Sequence, residues 1–164
     1  MELDETILQD EKPEEAVLRL AIAKAEAATR LHPGVWVIGA DTVVELNGRI
    51  LGKPADAADA ERMLAGLSGT VHAVHTGIAL LHSNYQGYSV TTRAEVRFRE
   101  LSSTEIQGYV ATGDPMGKAG AYAVQGIGGT LVDRIEGELS TIVGLTLSAT
   151  SRLLTRAGIP HALP

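Results

Sequence analysis

The stretch Gly39-Ala40-Asp41-Thr42-Val43-Val44-Glu45-Leu46, followed by Asn47-Gly48 and then by Gly52-Lys53-Pro54, decides how this chain is read. Val35 to Leu46 is rich in valine and isoleucine, which predicts a buried strand. Asn47-Gly48 predicts a tight hairpin, because a type I′ turn needs positive φ at both central positions. Arg49 to Leu51 is the returning strand. One carboxylate, Asp41, interrupts the apolar run. Burying it unpaired costs several kcal/mol unless a partner or a metal offsets the loss. Two readings of Asp41 stay open: a residue used in chemistry, or a structural partner for a lysine.

The flanking segments extend the pattern. Pro13 to Leu31 predicts a helix, with proline in the first turn and Glu14 and Glu15 at its positive end. Val17, Leu20, Ala21 and Lys24 share one face of it. Asp56 to Leu67 is a second helix, capped by Asp56 and closed by Gly69. Thr70 to His82 is a strand. Gln86 to Arg99 alternates polar and apolar residues, which predicts an antiparallel partner across a loop at Ser83-Asn84. Ser102 and Glu105 form a capping box for a helix ending near Ala111. Met116 to Gly129 is a glycine-rich loop, Thr130 to Ile135 a short strand, and Leu147 to Ala157 the last helix. The acidic start, Met1 to Lys12, reads as irregular. The expected class is α/β: a mixed β-sheet with flanking helices, in a single domain over residues 1–164.

The bulk composition narrows the partners. The chain has 164 residues, 45% of them apolar, enough for a substantial core. A net charge of −6 argues against a nucleic-acid polymer, which needs a basic surface. It leaves room for one small nucleotide held by a few local lysines. There is no cysteine, so disulfides and thiolate metal sites are excluded. No apolar run is long enough to span a membrane, and the acidic start is not a signal peptide. The expectation is a cytoplasmic protein with no membrane partner.

Chemistry-bearing residues are few. Lys53 follows a tight turn and could act as a point charge for phosphate, or be a solvated loop lysine. Lys24 looks inward from its helix, or buries only its stem. Lys118 opens Lys118-Ala119-Gly120-Ala121-Tyr122, with Gln125-Gly126 beyond; small residues there let backbone amides approach an anion. The loop is not a Walker loop. His72 and His75 are three apart on a strand and so face opposite sides. A carboxylate with several lysines suits metal-assisted attack on a polyphosphate, and equally simple anion binding.

These motifs, in order and spacing, resemble the Maf family. The match includes Gly39-Ala40-Asp41-Thr42-Val43-Val44, Gly52-Lys53-Pro54, Leu67-Ser68-Gly69, His75-Thr76-Gly77, Lys118-Ala119-Gly120-Ala121-Tyr122, Gln125-Gly126 and Arg134-Ile135-Glu136-Gly137. Leu18 to Ala21 with Lys24-Ala25 resembles the family's first helix. The resemblance implies a Maf/inosine-triphosphatase-like fold and a cytoplasmic house-cleaning enzyme, also described as an inhibitor of septum formation. Its implied reaction releases pyrophosphate and a monophosphate from a nucleoside triphosphate, with Mg or Mn as cofactor. The Ala-Asp-Thr and Gln-Gly forms look like the branch acting on dTTP and UTP. By that resemblance Asp41 is the proton acceptor. Thr42 and Gln125 read the base, Lys24, Lys53 and Lys118 hold the triphosphate, and Glu5 joins Asp41 at the metal. Pairing with a second copy as a homodimer is left open.

Two departures stand out. The family's strand and Ser-x-Ser-Pro-Arg-Arg loop, expected ahead of the acidic segment, are not in this sequence. The expectation is a truncated or divergent member with reduced activity; a weak or inactive nucleotide-binding regulator of septum formation is the rival reading. A related enzyme of the inosine-triphosphatase kind is a further rival. Thr141 and Thr146 stand where the family has asparagine and proline, a change expected to matter less.

Overall fold

The computed structural model describes residues 4–162. Met1 to Leu3, the beginning of the acidic stretch, therefore lie outside the described residues. In chain order the elements are α1 (Pro13–Leu31), β1 (Val37–Leu46), β2 (Arg49–Leu51), α2 (Ala57–Leu67), β3 (Val71–His82), β4 (Tyr85–Phe98), α3 (Ser103–Ala111), β5 (Val132–Glu136), α4 (Leu139–Val143) and α5 (Leu147–Arg156). The glycine-rich loop before β5 carries two short 3-10 turns, Ala119–Ala121 and Gly126–Leu131.

The α/β class with flanking helices stands, and the strand directions are narrower than the mixed sheet expected. The five strands lie in the order β2-β1-β3-β4-β5, and every described pairing is antiparallel. β2 and β3 run the same way, but β1 lies between them, so no parallel pair forms. The Asn47-Gly48 turn is the type its residues require, with φ of 51° and 78°. β3 is central and buried along most of its length, whereas β4 alternates as its sequence predicts.

The two sheet faces pack differently. On one, Val44, Val74, Val96 and Phe98 meet α2 and α3 through Leu64, Leu67, Ile106 and Tyr109. The same face continues to Ile78 and Leu80, covered by Ala149 and Leu153 of α5. The caps hold as read. Asp56 accepts from the Asp59 amide at 2.8 Å, and Ser102 and Glu105 bond reciprocally. His72 belongs to this core, its Nε2 2.7 Å from the Tyr122 hydroxyl, while His75 faces away and pairs with Glu45 at 2.8 Å.

On the other face, α1 crosses β1 and β3 at backbone contact. A Cβ added to Gly39 would lie 2.3 Å from the Ala21 carbonyl oxygen, and one added to Gly77 would lie 2.3 Å from that of Val17. The buried helical residues are correspondingly small: Ala16, Val17, Ala21 and Ala25, with Leu20 the largest. Glycine here is a matter of space, since no side chain fits between helix and strand.

The element missed in the sequence is α4. Five residues are too few for a helical period to show, and Thr141-Ile142-Val143 reads locally as strand. No helix among the described residues is long and apolar enough to cross a membrane.

Gly77→Ala must push α1 off the sheet against backbone atoms that cannot yield locally. We expect a loss of about 3 kcal/mol or more, read as a fall in the urea midpoint. An unchanged midpoint would show that α1 is not held by this contact.

Candidate functional site

β1 carries Asp41 and Thr42 in succession, so their side chains leave opposite faces of the sheet. Asp41 shares a face with Gly39 and Gly77, beneath α1, and Thr42 shares a face with Val44 and Thr76. The two faces bear two hollows, each of about 310 Å³, at the lower end of small-molecule pockets.

The first hollow is charged. Lys24 Nζ, reaching from α1, donates to Asp41 Oδ1 at 2.5 Å and lies 2.9 Å from Glu5 Oε1. Lys53 Nζ lies 3.4 Å from Glu5 Oε2. The result is a chain of alternating charge, Asp41–Lys24–Glu5–Lys53. Only 11% of the Asp41 side chain is exposed. Burial raises its pKa above the ordinary 3.8, and this outweighs the opposing pull of Lys24. For Lys24, burial acts downward, but its bonds to Asp41 and Glu5 prevail and its pKa is raised. Glu5, more open, is held below its ordinary value, chiefly by its bond to Lys24. Burial thus leaves Asp41 more basic than an ordinary carboxylate.

The second hollow carries fewer charged side chains. Thr42, Val44, Tyr122, Gln125, Ile142 and Lys118 are among its lining residues. Lys118 is turned toward Asp114, donating to its backbone carbonyl and lying 3.4 Å from its Oδ1. Lys53, Thr42 and Ala119 line both hollows, so the two meet around the sheet's edge. The lysine-bearing loops are tied there, the Gly120 amide donating to the Gly52 carbonyl at 3.0 Å.

The structure therefore brings Asp41, Lys24 and Glu5 together in one hollow and Gln125 and Lys118 in the other, with Lys53 and Thr42 lining both. Lys118 lies with the base-reading candidates, away from Lys24. Thr76, Thr141 and Thr146, which sequence reasoning did not single out for the site, lie buried near Thr42. Their signals were the departure from asparagine and proline at Thr141 and Thr146 and the place of Thr76 in the His75-Thr76-Gly77 motif.

Comparison with known proteins adds three findings. A family model described as "Maf: Maf-like protein" matches residues 1–157. A dTTP/UTP pyrophosphatase of Myxococcus xanthus (strain DK1622) is 49% identical over 159 residues, covering 97% of this chain and 80% of the relative. One of Symbiobacterium thermophilum is 46% identical over 159 residues, covering 97% and 81%. Among solved structures, a nucleoside-triphosphatase / dITP/XTP pyrophosphatase of Mycobacterium abscessus aligns at a TM-score of 0.42 with 19% identity, covering 96% of this chain and 79% of that one.

Lys24→Met removes the cation that opposes burial at Asp41 and leaves Glu5 nearby. The Asp41 pKa should rise further, measured by carbon-13 NMR titration of its carboxyl group. A fall, or no movement, would show that Lys24 does not set the charge of Asp41.

Proposed function

The chain belongs to the Maf family, and from that premise we propose that it hydrolyses dTTP and UTP to the monophosphate and pyrophosphate. The observation that supports this best is the shared wall of the two hollows: one offers a basic carboxylate with two lysines, the other an apolar slot with an amide and a hydroxyl. A nucleotide laid around the edge would place its phosphates by Lys24 and Lys53 and its base by Thr42 and Gln125. The site residues together make up one Maf-like unit spanning the chain. We place the enzyme in the cytoplasm, as a house-cleaning hydrolase.

In the proposed reaction Asp41 takes a proton from a water molecule, and the water oxygen attacks the α-phosphorus. The bond from that phosphorus to the bridging oxygen breaks, and pyrophosphate leaves. Lys24 and Lys53 stabilise the charge that develops on the transferred and leaving oxygens. Lys118 meets the nucleotide from the second hollow, on the base side. Gln125 can donate and accept at once, which suits the imide edge of thymine or uracil.

A divalent metal fits the donor set. Glu5 and Asp41 bring hard carboxylate oxygens to the same lysine, and Mg²⁺ or Mn²⁺ commonly takes one or two carboxylates and completes its shell with phosphate oxygens and water. Among the described residues no three His, Cys, Asp or Glu side chains gather as a metal site. When bound, the ion would supply neutralisation of the triphosphate charge.

Asp41→Asn keeps the shape of the site but cannot accept a proton, so pyrophosphate release should fall by about 100-fold or more in a folded protein. The wild-type rate should decline as pH drops through the raised Asp41 pKa, so its acid limb should lie above 3.8, the carboxyl's ordinary value. Turnover by Asp41→Asn equal to wild type would remove Asp41 from the mechanism.

Among triphosphates, dTTP and UTP should exceed ATP and GTP, and Gln125→Ala should narrow the gap by about tenfold or more in kcat/KM. A purine triphosphate as best substrate of the wild type would overturn the substrate assignment.

A further inference from the structure

Three threonines stand abreast across the sheet: Thr42 on β1, Thr76 on β3 and Thr92 on β4 are register partners. Thr76 is fully buried and lies beside Thr42, which lines the second hollow. Its Oγ1 is 2.7 Å from the Thr141 carbonyl oxygen and 2.7 Å from Thr42 Oγ1. A carbonyl oxygen only accepts, so the single proton of Thr76 is directed to Thr141. In the bond between the two hydroxyls, Thr42 must then be the donor. Its one proton points across to Thr76 on the neighbouring strand, and what Thr42 turns to the hollow is lone pairs.

A second chain of hydroxyls holds the Thr141 segment in place. Thr92 donates to the Thr76 carbonyl at 3.3 Å, so Thr146, 2.5 Å away, donates to Thr92. Thr141 in turn donates to Thr146 at 2.8 Å. Thr141 and Thr146 are each 1% exposed. Both chains run in one direction and end on backbone carbonyls, and reversing the first would take from the Thr141 carbonyl its Thr76 donor.

We propose that Thr76, oriented by the Thr141 carbonyl, is a positioning residue that locks Thr42 as a hydrogen-bond acceptor and thereby makes the hollow select uracil and thymine over cytosine. This rests on the reading above that the base lies between Thr42 and Gln125. Uracil and thymine carry a proton on N3, which a fixed acceptor satisfies. Cytosine carries a lone pair on N3, and an acceptor facing it leaves two lone pairs opposed and desolvated. Gln125 cannot enforce this difference, because its amide can turn either donor or acceptor to the base. The polarity of the site therefore resides in Thr42, and Thr76 sets it.

The experiment compares kcat/KM for UTP and CTP in wild type, Thr76→Ser, Thr76→Val and Thr42→Val, with melting curves for each. Wild type should favour UTP, and Thr76→Ser, which keeps the hydroxyl, should retain the ratio. Thr76→Val removes the acceptor beside Thr42, so the Thr42 proton can turn into the hollow and meet cytosine N3. The UTP/CTP ratio should fall by about tenfold or more, through a lower KM for CTP. A folded Thr76→Val that slows on both substrates while keeping the wild-type ratio would overturn the proposal, since a merely structural role does just that. Should Thr76→Val fail to fold, Thr42→Val serves: a lost ratio supports the proposal and an unchanged one overturns it. A wild type that prefers CTP, or turns over neither nucleotide, overturns the underlying base-site reading, and does so before any variant is compared.

Discussion

The site depends on how closely α1 can lie on the sheet. Gly39 and Gly77 leave no room for a side chain between strand and helix, and the alanines opposite them keep the helix equally bare. That seating sets the height of Lys24 above β1, and with it the 2.5 Å bond to Asp41. A helix seated higher would draw Lys24 away from Asp41, and a carboxylate there without its lysine would be a buried charge without a partner. Such a carboxylate neutralises or unfolds its surroundings. The small residues of two strands and one helix are thus the reason a basic carboxylate can exist here.

Strand geometry does the next part of the work. Side chains alternate, so two neighbouring functional residues on one strand cannot share a pocket. β1 turns this into an advantage, because only the three-residue β2 separates it from the sheet's edge. A ligand can bend around that edge and meet Asp41 on one face and Thr42 on the other. Lys53 sits after β2, where such a bend would pass, and the Gly120–Gly52 hydrogen bond fixes its loop against the Lys118 loop. The cleft is a property of the edge rather than of either face.

Much of this was legible in the residues. Asn47-Gly48, the alternation from Tyr88 to Phe98 and the Ser102–Glu105 box act locally, and each formed as its chemistry requires. Asp41 was conspicuous because a charge interrupted an apolar strand. Its partner was not, because Lys24 lies 17 positions away and only the docking of α1 brings it there. That every described pairing is antiparallel was hidden for a similar reason: direction follows from which strand lies between β2 and β3, a matter of spatial order. The threonine row was less visible still. Threonine is common in strands for its branched shape, and a hydroxyl reaching a carbonyl 65 positions on leaves no mark in the sequence.

The two hollows also differ in the physics they use. In the first, recognition is electrostatic: alternating charges at 2.5 to 3.4 Å can trade partners when a charged ligand arrives. In the second, the decisive groups are neutral, and what matters is the direction of a proton. Charge is strong but indifferent to which nucleobase is attached. A hydroxyl is weak but can be made unambiguous, provided something buried fixes its rotation. Thr76 has the burial to do so, and the Thr141 carbonyl gives it only one way to point. A side chain that could rotate freely would accept either pyrimidine at nearly the same free energy. Discrimination at such a site therefore depends less on the residue touching the base than on the rigidity of the residue beside it.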